Sequence, residues 1–170
     1  MNKNLKSDIL KLGWYQVIGG AIGIIIVLNI LFHLELAALG LNLLFYFVMI
    51  LFFSYSVYCG ILCIKLKTAA LQFSLVNQFL QLLGFSFGGF TFKYVAGFFL
   101  SAGLDITNEL HVSFNLGIST FQIYIVQEPI TNYINFNLMA LFLIYIIDKL
   151  KKEQKLEKEQ EEIMSIGESS

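Results

Sequence analysis

Polar and apolar positions in this chain are sorted in long blocks. No charged side chain lies between Lys11 and His33, from Leu36 to Ile64, from Thr68 to Phe92, or from Pro129 to Ile147. At ~1.5 Å per residue, a helix of such length crosses or nearly crosses a hydrocarbon core of ~30 Å. A charge held in lipid costs several kcal/mol, so these runs read as spans. The expected fold class is an all-α polytopic membrane protein. It would be a four-helix transmembrane bundle, with helices at about 12–32, 41–64, 68–88 and 131–148. A small extracytoplasmic cap, about 89–130, would join the last two, and together these make a membrane domain over 1–150. Residues 151–170 read as a charged cytoplasmic tail.

The runs differ in detail. Ser74, Asn77, Gln78 and Gln81 recur at i, i+3, i+4 and i+7, which places them in one stripe on the third helix. Lipid cannot satisfy amide side chains, so the stripe is expected to face the bundle interior or another subunit. Gly84, Gly88 and Gly89 weaken the end of that helix. The stretch from Phe90 to Leu104 reads either as an interfacial helix or as a continuation of helix three. From His111 to Gln127 the pattern changes to a period of two, with Gly117 between its halves. That predicts a β-hairpin turning near Gly117 to Thr120. An open two-stranded sheet leaves edge groups unpaired in lipid, so this hairpin is expected above the membrane. Asn132, Asn135 and Asn137 suggest a wetted outer end for helix four. The tail beyond Asp148 alternates lysine and glutamate and reads as a solvated helical extension.

Composition agrees with a membrane location. The chain is 57% hydrophobic, against roughly 45–50% for a soluble domain. All 11 basic residues are lysine. Arginine is the usual residue for bidentate phosphate recognition, so nucleic acid is not an expected partner. Lys3, Lys6, Lys11, Lys65, Lys67 and the lysines from Lys149 onward fall on one side of a four-span chain, with Lys93 on the other. By the positive-inside rule both termini are cytoplasmic, and the protein is expected in the plasma (inner) membrane. Trp14 and Tyr15 suit an interfacial aromatic belt. The first apolar stretch is long for a signal peptide and lacks a small-x-small cleavage site, so it is expected to be retained. Cys59 and Cys63 are four apart near the cytoplasmic side and are expected to stay reduced.

Candidate chemistry is sparse. Gly19/Gly23, Ser56/Gly60 and Gly84/Gly88 have the small-xxx-small spacing that lets helices approach closely. His33, Glu35, Asp105, Glu109 and His111 form a metal-ligand set only if two outer loops meet. There is no phosphate loop, zinc spacing or serine elbow. No cofactor and no enzymatic activity are expected. The leading expectation is a non-enzymatic membrane scaffold or partner-binding component, in contact with the lipid bilayer and either self-associated or bound to another membrane protein. The alternative is a small oligomeric channel or transporter for a small polar solute or ion, with the amide stripe as its path.

Overall fold

A computed structural model describes residues 3–33, 42–107, 110–125 and 131–167. The chain runs α1 (Lys3–His33), α2 (Asn42–Ile64), α3 (Ala70–Leu82), β1 (Leu83–Phe87), β2 (Phe90–Asp105), β3 (His111–Tyr124), β4 (Tyr133–Asn137) and α4 (Leu138–Gly167). This overturns the four-helix transmembrane bundle. Among the described residues, only α1 and α2 are long and apolar enough to cross a membrane. Helix α3 has 13 residues, about 20 Å at the α-helical rise, which is short of a hydrocarbon core. The apolar part of α4 begins at Leu138 and ends before Asp148, and is shorter still. The four helices do meet, but only around the Lys3 end of α1, where Leu5, Ile9 and Leu12 pack with Cys63, Leu71, Ile147 and Leu150.

Helices α1 and α2 are paired by small residues. A Cβ added at Gly13 would meet the Gly60 carbonyl at 2.8 Å, and one at Gly20 the Phe53 carbonyl at 2.7 Å. A Cβ at Gly23 would run into the Phe53 ring. Ser56 Oγ donates to the Gln16 carbonyl at 3.2 Å. Gly23, Ser56 and Gly60 thus serve packing within one chain. Gly84 and Gly88 do not form a helix-packing pair: Gly84 lies in β1, and Gly88 is in a turn at φ +58°.

The expected end of helix three is a strand. The chain leaves α3 at Leu83 in extended geometry. Phe85-Ser86-Phe87 and Phe90-Thr91-Phe92 then pair across Gly88 and Gly89, both at positive φ. Two consecutive positive-φ residues make the type I′ turn whose twist suits a hairpin. Strand β2 takes the place of the interfacial helix. Residues 111–124 are one strand paired along β2, in place of the hairpin expected within 111–127. Residues 126–130 lie outside the described residues. Near Thr131, where helix four was expected to begin, the chain enters strand β4, and α4 begins only at Leu138. Asn137 Oδ1 caps it by accepting from the Met139 and Ala140 N–H groups at 3.1 and 3.3 Å.

The sheet is antiparallel, in the order β1-β4-β2-β3, with β1 also paired to β2. β1 pairs with the start of β2, β4 pairs with its end, and β1 and β4 pair with each other. Strand β2 must therefore curl, and the curl is centred on a bulge. Val95 faces Thr120 and Phe98 faces Ile118, so Ala96 and Gly97 together oppose Ser119. Gly97 sits at φ +108° and Ser119 at φ +30°.

The bulge docks on α1. A Cβ added at Gly19 would lie 2.5 Å from the Gly97 nitrogen. Ser119 Oγ accepts from Gly97 N–H at 3.0 Å and donates to the Gly19 carbonyl at 2.8 Å. The sheet therefore does not form a cap beyond the helix ends. It lies beside the middle of α1, within the charge-free run. We expect Gly19→Ala to cost about 1–3 kcal/mol by overpacking against backbone. Gly88→Asn, in open space at a φ that asparagine tolerates, is expected to be nearly neutral. Thermal unfolding of the two variants in detergent micelles checks this.

Candidate functional site: a buried amide network beside an inverted sheet

The amide stripe is buried: Ser74, Asn77, Gln78 and Gln81 are each at most 2% exposed. Helical spacing aims them away from the exposed Phe73, Val76 and Phe79. They converge with Gln16 of α1, which is fully buried and which sequence reading left out. A lone glutamine on an apolar helix gives little signal until its neighbours are known.

The network ties four elements together. Ser74 Oγ donates to Gln16 Oε1 at 3.3 Å and contacts Cys63 Sγ at 3.2 Å. Asn77 Nδ2 donates to Ser56 Oγ at 3.1 Å. The Tyr94 hydroxyl reaches the Phe52 carbonyl at 2.8 Å and Asn77 Oδ1 at 3.3 Å. Burial raises the Tyr94 phenol far above its ordinary pKa, so it stays a donor. Gln81 Oε1 accepts from the bulge N–H of Ala96 at 2.8 Å. The Nε2 groups of Gln16, Gln78 and Gln81 have no partner among the described residues. Beside the network, Phe52, Phe53, Phe92, Tyr94 and Phe121 pack as an aromatic cluster. Its closest ring centroids, Phe52 and Tyr94, are 5.0 Å apart.

The sheet has an unusual distribution of polarity. Even-numbered positions of β2 point outward. Tyr94 and Ala96 are covered by the helices, whereas Phe98, Leu100 and Leu104 are exposed. Opposite them on β3 stand Ile118, Leu116 and Val112, with Phe114 facing Ala102. Phe114 and Leu116 are 71% and 68% exposed. The inner face carries Thr91, Lys93, Ser101, Asp105, Asn135 and Asn137 together with the buried Val95 and Phe99. Lys93, expected on the outer side, lies over the Phe99 ring, 4.8 Å from its centroid, and half-burial lowers its pKa. Asn135, expected at a wetted helix end, instead points its Oδ1 at Gly103, and that oxygen is buried without a partner among the described residues.

The histidine–carboxylate set does not assemble among the described residues, where no three potential metal ligands come together. His33 ends α1, and its Nδ1 is 2.8 Å from the Asn29 carbonyl. His111 faces Asp105 across the far end of the β2–β3 hairpin. The Asp105 carboxylate accepts from Thr107 N–H at 2.8 Å, and hydrogen bonding from Thr107 holds its pKa below the ordinary value. Glu35 and Glu109 lie outside the described residues.

Compared with protein-family models, with curated proteins and with solved structures, the chain matches none. Gln81→Leu is expected to destabilise the fold by about 1–3 kcal/mol, because it strands the Ala96 N–H. Gln72→Leu, on the exposed side of the same helix, is expected to be near neutral. Chemical unfolding of both in one detergent measures the contrast.

Proposed function

We propose that this chain is a non-enzymatic membrane scaffold, anchored by the α1–α2 hairpin. One observation carries the reading: the hydroxyls of Ser56 and Ser74, the Asn77 amide and the Gln16 and Gln81 carbonyl oxygens bond across elements of the same chain, while the Nε2 groups of Gln16, Gln78 and Gln81 stay unpaired among the described residues. Asn77, Ser74 and Gln81 bond to α1, α2 and β2 of the same chain. A solute path needs polar groups that are free to replace a hydration shell. Groups already bonded across three elements suit a rigid platform better.

Two antiparallel spans suit the lysine pattern as well as four did. Lys3, Lys6 and Lys11 lie in the first turns of α1, before its charge-free run, and Lys65 and Lys67 follow α2. One hairpin puts both groups on the same side, with the lysines of α4. The positive-inside rule makes that side cytoplasmic, and we place the protein in the plasma (inner) membrane as a multi-pass protein. The C-terminal part of α4 would extend into the cytoplasm. Its surface carries i,i+4 ion pairs such as Lys152–Asp148 at 2.7 Å, solvent-exposed and screened by salt. That solvated helix is the part best placed to meet a soluble partner.

Two measurements test the proposal. Cysteines introduced at Lys67 and Lys158 should react with a membrane-impermeant maleimide from the same, cytoplasmic side of sealed vesicles; labelling from opposite sides would overturn the hairpin. Proteoliposomes should show no more flux of potassium or glycerol than protein-free vesicles. A flux that disappears with Asn77→Leu plus Gln81→Leu would replace the scaffold with a conduit.

A further inference from the structure

A sheet folded in water hides its apolar face and shows its polar one. Here the arrangement is reversed. Along the arm and β4 the concave side of the curled sheet holds Lys93, Ser101, Asn135 and Asn137, with Ser101 and Asn137 buried, and its apolar members there, Val95 and Phe99, are buried too. The convex side is apolar throughout. Apolar outside and polar inside is the rule for sheets surrounded by lipid.

The exposed part of that convex side is large. Seven big apolar side chains on β2 and β3, from Phe98 to Leu104 and from Val112 to Ile118, are 40–71% exposed. A contiguous exposed apolar patch of this kind marks a surface that meets lipid or a partner. The patch carries no charge. It also continues the face that Tyr94 and Ala96 bury against α2 and α1. One apolar surface is thus half covered by the two candidate spans and half bare.

We infer that the bare half lies on the lipid bilayer, with the β2–β3 arm seated at the cytoplasmic interface, its apolar face in the acyl chains. The inference rests on the α1–α2 hairpin being the membrane anchor. Three features set the depth. Tyr15, beside the exposed Trp14, donates its hydroxyl to the Phe98 carbonyl at 2.7 Å, so the arm leaves α1 at the level of an interfacial aromatic belt. β3 is an edge strand. Its outer N–H and C=O groups would cost several kcal/mol each in hydrocarbon but are satisfied by water and headgroups at the interface. The far end of the arm carries Asp105 and His111, which also need water. Charged pairs flank the same level and also need water: Lys11 with Asp8 at 2.8 Å on α1 and Lys149 with Glu153 at 3.8 Å on α4.

The test uses the full chain in vesicles of phosphatidylcholine and phosphatidylglycerol. Trp14 is the only tryptophan, so Trp14→Phe gives a dark background. A single tryptophan is then placed by Phe114→Trp on the convex face, or by Asn115→Trp on the concave face. Leu116→Trp is a second convex probe, should Phe114→Trp disturb folding. Brominated acyl chains are expected to quench the convex probes strongly and Asn115→Trp weakly, while aqueous acrylamide does the reverse. Convex probes quenched by acrylamide and not by bromolipid would overturn the inference, and the anchor would survive if the protein still resists alkaline extraction. Convex probes shielded from both quenchers would show a protein on this face, a second copy if differently tagged chains co-purify, and would also overturn it. Loss of the protein on alkaline extraction would remove the anchor and the inference together.

Discussion

The close approach of Gly19 to Gly97 holds the two halves of this molecule together. Backbone meets backbone there, with no room for a Cβ. The bulge at Ala96–Gly97 frees two N–H groups from the ladder, and each finds a buried acceptor. Gln81 of α3 takes one, and Ser119 takes the other while donating to α1. An unpaired N–H at this depth would cost about as much as a packing defect. The bulge and the helices therefore stabilise one another, since Gln81 satisfies the Ala96 N–H and Ser119 links the Gly97 N–H to α1.

From that joint the rest follows. The bulge lets β2 curl, so that its start pairs with β1 and its end with β4. The curl gives the sheet a concave and a convex side. The convex side near the joint supplies Tyr94 and Ala96 to the helices, and the amide network forms where they meet. The same geometry brings β4 to the point where Asn137 caps α4 and sends it back along the Lys3 end of α1.

The polar groups are divided accordingly. Between the helices, Ser56, Ser74, Asn77, Tyr94 and the Gln16 and Gln81 oxygens bond across α1, α2, α3 and β2, with three glutamine Nε2 groups left unpaired among the described residues. Those on the concave side of the sheet are enclosed by its curl. What faces outward is almost wholly apolar around α1, α2 and the arm, and charged around the rest of α4. On such a surface each exposed apolar side chain would add its share of transfer free energy on leaving water.

Local pattern determined a good deal of this. The absence of charge over 12–32 and 41–64 identified the two long helices, because burying charge in lipid is costly at every position. The i, i+3, i+4, i+7 spacing placed Ser74, Asn77, Gln78 and Gln81 on one inward face. The period of two over 111–127 marked extended chain and predicted a hairpin turning near Gly117, whereas 111–124 form one strand paired along β2. Other signals were present but outweighed. Phe-Ser-Phe and Phe-Thr-Phe around Gly88-Gly89 have the form of a type I′ hairpin, yet the charge-free run around them read as helix. The unbroken apolar stretch from Tyr94 to Leu100 hid the alternation of β2, because one half of its outward face is covered and both faces near the bulge are buried. Tertiary structure alone decided which strand pairs with which, where β2 bends, and that Gln16 joins the stripe. Those outcomes depend on contacts between residues far apart in the chain, such as Gly19 with Gly97 and Gln81 with Ala96, and no local periodicity encodes them. The uncharged runs state what can leave water; only the fold decides what each run meets when it does.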